Sequence, residues 1–294
     1  DSTKARIQEI RLRINRPVVL SLPDGPMFIT QNGAPALLPR AGLLTARREN
    51  IDEAYRLICD CSVHSHQREI KNGFVTIRGG HRAGICGTAV TEDDSVVNIR
   101  DISSINLRIA RDIEGAAKNI AKTVISEGRV VGTLIFGPPG CGKTTVLRDL
   151  ARMLSNGSIL GRIFRVAIVD ERGEIAATFH GSPQNDLGIC CDVLDGYPKG
   201  EGIMQAVRSL SPDVVICDEI GGEEDEKAVE LSLNAGVSVI ASAHAGSITE
   251  LLSRPQTSRL IESGAFKFGV RLAGREHPGY VLEVYNKELL KKAV

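Results

Sequence analysis

The sequence predicts an α/β protein: a domain on a mainly parallel sheet, preceded by a smaller α+β domain. Two observations carry that expectation. From residue 130 onward four apolar runs, VVGTLIF, FRVAIV, DVVIC and VSVIASA, recur between helical segments. None alternates polar with apolar, as strands covered on both faces require. Before residue 112 the runs are short, EIRLRI alternates, and glycine turns separate several of them, the pattern of a mixed α+β unit. The expected division is therefore an α+β domain over 1–111 and a parallel-sheet domain over 112–294. The 294 residues suffice for one large core or two modest ones.

In EIRLRI, Ile10, Leu12 and Ile14 alternate with Arg11 and Arg13, the period of a half-buried strand. LPDGPMF places Pro23-Asp24-Gly25 between two apolar runs and predicts a hairpin. A helix is expected from Asn50, with Glu53 three residues on and Ile51, Ala54, Tyr55 and Ile58 on one face. FVTIRGGHRAGICGTAV reads as two strands around a glycine turn, and VVNI and INLRIA as two more. Residues 112–128 predict a helix capped by Asp112, ended by Gly128, with an apolar stripe of Ile113, Ala116, Ala117, Ile120, Ala121 and Val124. After residue 265, FKFGVRL and YVLEVY predict an antiparallel addition to the sheet.

Bulk composition narrows function. Lys+Arg and Asp+Glu both number 36, Trp is absent and aromatics are 4%, so neither a basic field nor stacking platforms argue for nucleic acid. The longest apolar stretch, Val130–Phe136, is far too short to span a membrane. Seven cysteines, an odd number, favour free thiols in a reducing compartment. Cys59, Cys61, His64 and His66 cluster in CDCSVHSH, but their spacing is not a usual zinc pattern, so buried thiols followed by surface histidines are expected instead.

The strongest signal is GPPGCGKTT, 137–145, which fits G-x-x-x-x-G-K-[ST] between a predicted strand and a predicted helix. Gly137, Pro138, Pro139, Gly140, Cys141 and Gly142 would wrap phosphates with inward N–H groups. Lys143 would reach the β- and γ-phosphates, Thr144 would offer its hydroxyl to Mg²⁺, and Thr145 would reach the α-phosphate. ATP and Mg²⁺ are thus the expected ligands. Hydrolysis also needs carboxylates near the metal and the attacking water. PDVVICDEIGG delivers Asp218 and Glu219 at a strand end, Asp218 for the Mg²⁺ shell and Glu219 for the water. A second tip, RVAIVDERGEI, delivers Asp170 and Glu171. Asp170 joins the expected nucleotide site, and Glu171 is the alternative base to Glu219. Arginines that can neutralise the γ-phosphate from a neighbouring subunit are Arg82, Arg100, Arg108 and Arg111; Arg208, ahead of the Pro212-Asp213 strand start, is a further candidate. VSVIASA ends in His244, where a γ-phosphate sensor is expected, and Ser247 with Glu250 predicts a capped helix behind it.

The ordered set of P-loop, Asp170-Glu171, SPDVVICDEIGG and a strand ending in His244 resembles the type II/IV secretion ATPases. Within that superfamily the chain is similar to the stage III sporulation AA family of endospore-forming bacteria, through EIRLRINRP, GGHRAG, VDERGEIA, SPQNDLGICCDVLDGYPKGEG and RSLSPDVVICDEIG. The resemblance implies a RecA-like P-loop ATPase domain and a homo-hexamer with nucleotide between subunits and N-domain arginines reaching across. It also implies a cytoplasmic, mother-cell location peripheral to the membrane, beside membrane proteins of a sporulation channel whose assembly or transport it energises. Two alternatives remain from the residues: a nucleic-acid-directed RecA-like motor, and a low-turnover nucleotide switch acting as a scaffold.

Overall fold

A computed structural model describes residues 4–60, 66–71, 73–111, 113–286, 288 and 290. The chain divides into two compact units, Asp1–Arg111 and Asp112–Val294.

The first unit holds strands β1 (Glu9–Arg13), β2 (Arg16–Pro17), β3 (Val19–Leu22), β4 (Gly25–Ile29), β5 (Pro35–Ala36), β6 (Thr45–Ala46), β7 (Phe74–Ile77), β8 (His81–Glu92) and β9 (Ser95–Arg108), with helices α1 (Arg48–Ile58) and α2 (Gln67–Lys71). Seven strands form an antiparallel sheet in the order β5-β4-β3-β1-β9-β8-β7, and β2 pairs with β6. The LPDG hairpin forms, with Pro23 and Asp24 between the paired Leu22 and Gly25. Ile10, Leu12 and Ile14 pack on a core that includes Ile51, Val75, Ile85 and Ile105.

Two expectations are corrected here. Helix α1 starts at Arg48 rather than Asn50, because Asn50 Oδ1 accepts the Arg47 N–H (2.9 Å) and so stands three residues inside the cap. VVNI and INLRIA are not two strands but parts of β9. The irregular residues between them are absorbed in a bulge, where pairing jumps from Cys86↔Ser104 to Thr88↔Arg100. Gly87 sits opposite, and a Cβ there would lie 2.4 Å from the Arg100 carbonyl oxygen. Cys59 is buried as expected, but His66 is buried too and not on the surface, its Nδ1 bonding Glu69 Oε2 (2.6 Å). Cys61 and His64 lie outside the described residues.

The second unit contains β10 (Ile125–Ser126), β11 (Arg129–Val130), β12 (Thr133–Gly137), α3 (Lys143–Ser155), β13 (Val166–Asp170), β14 (Cys191–Asp195), α4 (Lys199–Ser209), β15 (Val214–Cys217), α5 (Glu223–Asn234), β16 (Ser238–His244), α6 (Ile248–Leu252), α7 (Pro255–Ser263), β17 (Phe268–Leu272) and β18 (Val281–Asn286). Its seven-stranded sheet runs β14-β13-β15-β16-β12-β17-β18, parallel throughout except for β18. The unbroken apolar runs are explained by two cores. Ile135, Ile168, Ile216, Ile240 and Val270 pack with α3 on one face, while Leu134, Phe136, Val169, Val215 and Val239 pack with α4, α5 and α7 on the other. No helix among the described residues is long and apolar enough to cross a membrane.

The helix expected over 112–128 does not form as one. Residues 114–124 make successive turns, with Ile120 N–H on the Ala117 carbonyl and Ala121 N–H on the same oxygen. Gly115 is left-handed (φ 84°), and Asp149 Oδ2 of α3 takes the Ala117 N–H at 2.8 Å, so tertiary bonding replaces a regular ladder. The apolar stripe is still used: Ala117, Ile120, Ala121 and Val124 are buried and Ala116 packs on the core, whereas Ile113 is exposed. The expected cap, Asp112, lies outside the described residues. Strand β14, a polar-flanked CDVLD segment at the sheet edge, has no counterpart among the expected strands.

Candidate nucleotide site

Parallel strands bring their carboxyl ends to one edge, and the chemistry-bearing residues gather there. Gly137 ends β12 in register with His244 at the end of β16, and Asp218 follows Cys217, the last residue of β15. The loop after β12 then turns tightly into α3. Gly140 and Gly142 have φ of 77° and 92°, the left-handed region that glycine tolerates. A Cβ on Gly137 would lie 2.7 Å from Cys141 Sγ, and one on Gly142 2.9 Å from the Gly279 nitrogen, so side chains at these glycines would push the loop apart. The first N–H groups of α3 lack intrahelical acceptors, which leaves them free to bind an anion. Thr145, partly buried, lies on that first turn.

Lys143 is buried, and its Nζ donates to the carbonyls of Gly137 (3.0 Å) and Pro138 (3.2 Å) and to His244 Nδ1 (2.9 Å). An ammonium only donates, so Nδ1 must accept and Nε2 must carry the ring proton. Nε2 in turn meets Glu219 Oε1 at 2.8 Å. Lys143, His244 and Glu219 thus form one directed chain across three strand ends. Arg172 Nη1 holds the other Glu219 oxygen at 3.2 Å.

Beside this chain, Thr144 Oγ1 donates to Asp218 Oδ2 at 3.0 Å. A hydroxyl and a carboxylate side by side are the oxygen donors a hard cation selects, so the residues present fit Mg²⁺. Ser242, two residues before His244, donates its hydroxyl to Asp218 Oδ1 and accepts the Glu219 N–H at 3.0 Å. Glu219 has φ +42°, a costly backbone for a non-glycine residue, and Ser242 and Lys199 hold it: the Ile220 N–H bonds the Ser242 carbonyl, and Lys199 Nζ bonds the Glu219 carbonyl (2.7 Å).

The other acidic tip is wired differently. Asp170 is buried, and its Oδ1 takes the Glu174 N–H (2.8 Å) while Oδ2 takes those of Ile175 (3.1 Å) and Ala176 (2.7 Å). Burial pushes its carboxyl above the usual range, opposed by those three amides. Glu171 Oε2 meets Lys199 Nζ at 3.4 Å. Arg148 of α3 donates to the Ile175 and Glu174 carbonyls, both at 2.9 Å, and fastens this loop to the P-loop helix.

The structure therefore joins Lys143, Thr144, Asp218, Glu219 and His244 in one network, with Glu171 reached through Lys199, whereas the Asp170 carboxylate is spent on its own loop. Arg208 does not face this site: it is exposed near the C-terminal end of α4, ahead of β15, and so at the opposite edge of the sheet. In the first unit Arg82 and Arg108 are cross-strand partners, Arg82 also covering the Phe74 ring at 4.2 Å. Arg100 lies beyond the bulge beside Asp101 (3.7 Å), and Arg111 bonds the Ile7 carbonyl (2.9 Å). Ser242, Arg172, Arg148 and Lys199 are missed by sequence reasoning. None of the four carries a local sequence signal; Ser242 is one of two serines in β16, with Ser238.

Known proteins share this architecture. The ATPase DotB of Legionella pneumophila superposes with a TM-score of 0.62 at 14% identity, over 99% of this chain and 80% of that one. The pilus retraction motor PilT, solved with bound ADP, superposes with a TM-score of 0.63 at 14% identity, over 99% and 83%. At that identity the likeness is one of fold, the RecA-like ATPase fold. Stage III sporulation protein AA of Bacillus subtilis (strain 168) is 43% identical over 282 residues, 96% of this chain and 87% of that protein. The family model described as "Sporulation stage III, protein AA" matches residues 2–291, and the chain belongs to that sporulation family.

Proposed function

We propose that the protein is a Mg²⁺-dependent ATP hydrolase. It energises assembly of, or transport through, a secretion-type channel in the membrane between mother cell and forespore. In this reading it works as a homo-hexamer on the cytoplasmic face, held by membrane proteins of that channel, with arginines among Arg82, Arg100, Arg108 and Arg111 reaching a neighbour's site. The observation that carries the hydrolase is the network at the strand ends, where the Thr144–Asp218 pair adjoins the Lys143–His244–Glu219 chain.

The residues divide the work. Backbone N–H groups of 140–145 bind phosphate oxygens, and Lys143 turns from its carbonyl partners toward them. Thr144 and Asp218 would hold Mg²⁺, which when bound draws charge off the phosphate oxygens. Glu219, its two oxygens fixed by His244 and Arg172, orients the attacking water and accepts its proton. Because His244 bonds both Lys143 and Glu219, any move of Lys143 toward phosphate alters the hold on the base. That supports a sensor role for His244.

Phosphate release by the full chain tests this. Lys143→Ala should lower it by at least about a hundredfold, and Thr144→Ala should need more Mg²⁺ for half-maximal release, because the cation loses an oxygen donor. Full turnover in the Lys143 variant would remove the hydrolase.

A further inference from the structure

The ends of the bound molecule can be assigned from the sheet order. Asp218 and Glu219 follow β15 and His244 ends β16, and both strands lie on one side of β12, from which the P-loop springs. A triphosphate on the P-loop with its γ end beside those three residues must point its other end across β12. On that side stand β17 and β18.

The loop joining β17 to β18, residues 273–280, is fastened to the P-loop. Gly279 N–H donates to the Cys141 carbonyl at 2.8 Å, and Arg275 Nε donates to the Pro139 carbonyl at 3.1 Å. Gly279 also lies against the first turn of α3, where a Cβ on it would stand 3.7 Å from Val146 Cγ2, one residue past Thr145. The loop closes on itself through Ala273 N–H to the Tyr280 carbonyl and Tyr280 N–H to the His277 carbonyl. It presents two rings to solvent: Tyr280 is 59% exposed, and His277 stands edge-on to it with centroids 6.5 Å apart. A large aromatic face left open, on a loop bound to the P-loop backbone, gives a base something to stack on.

We propose that the 273–280 loop is the nucleoside seat, with Tyr280 stacking the purine base and Arg275 setting the loop's position on the P-loop. This rests on the proposal that the P-loop binds ATP. It adds a specificity-determining contact that the phosphate-binding residues cannot supply.

Titration calorimetry of the full chain with ATP and with inorganic tripolyphosphate, both with Mg²⁺, separates the two. The wild-type chain should bind ATP more tightly than tripolyphosphate. Tyr280→Ala should weaken ATP about tenfold and leave tripolyphosphate unchanged, and Tyr280→Phe should keep the wild-type ATP affinity. Equal wild-type affinities, an unchanged ATP affinity in Tyr280→Ala, or an equal loss for both ligands would each overturn the seat, the last by reducing the loop to a P-loop buttress. If the wild-type chain binds neither ligand, the ATP proposal fails and takes the seat with it.

Discussion

Two strand tips in this molecule carry the same signature, a buried apolar strand ending in Asp-Glu, and they are put to different uses. At the end of β13 the aspartate is sealed in by three backbone amides and the glutamate leans on Lys199. At the end of β15 the aspartate meets the Thr144 hydroxyl and the glutamate meets the His244 ring. Position in the sheet makes the difference. β15 is next to β16, and β16 next to the P-loop strand, whereas β13 is one strand farther out. An acidic tip acquires chemistry from what its neighbouring strands end in.

Neutralising each glutamate in turn should separate the two tips by the widest margin. Glu219→Gln should bind ATP and hydrolyse it at least about a hundredfold more slowly, because it loses a base aimed by two partners. Glu171→Gln should change turnover by less than about threefold, since Lys199 keeps its bond to the Glu219 carbonyl. Single-turnover phosphate release on both variants decides it. If Glu171→Gln is the slower, the base belongs to β13 and the comparison is inverted.

A smaller effect is expected at Ser242, which ties Asp218 and Glu219 together. Ser242→Ala leaves the Glu219 N–H without its acceptor at a left-handed backbone, a loss of about 1–3 kcal/mol. Turnover should fall about tenfold and the Mg²⁺ concentration for half-activity should rise, because Asp218 loses a partner. A titration of Mg²⁺ that is identical in both proteins would remove Ser242 from the site.

The parts legible in the sequence are those whose chemistry is local. The P-loop glycines, the apolar strands and their acidic or histidine ends follow from backbone sterics and burial within a few residues. Ser247 is another such case, since its hydroxyl accepts the Glu250 N–H at 3.1 Å as the spacing predicts. What was not legible depends on residues distant in sequence. Ser242 reads as a small core residue until β16 is laid beside β15. Arg148 and Arg275 act on carbonyls 26 to 27 and 136 residues away. The apolar stripe at 113–124 predicted the buried face correctly for most of its members, yet it could not reveal that Asp149 would take an amide a helix needs. Periodicity reports which residues face the core, while the hydrogen-bond pattern that holds them there is settled by tertiary partners.

The smallest catalytic effect and a clear stability effect should come from Asp170→Asn. An asparagine presents one oxygen where the carboxylate presents two, so one or two of the Glu174, Ile175 and Ala176 amides must face an NH₂ group. The loss should be about 1–3 kcal/mol, read as a lower denaturant midpoint with little change in ATP affinity. The pH dependence fixes the cause. Burial raises the native Asp170 carboxyl above its ordinary value of 3.8, so between that value and the raised one the folded chain binds more protons than the unfolded chain. Stability from this group therefore falls as pH rises through that window and is flat above it. Asp170→Asn lacks the titration, so the gap in stability between wild type and variant should be wider at the acid end of the window and narrow to a constant above it. A gap independent of pH would mean that the three amides alone set the behaviour of this tip. A gap that widens with pH would mean that the β13 aspartate is held as a stabilised charge, its three amides outweighing burial.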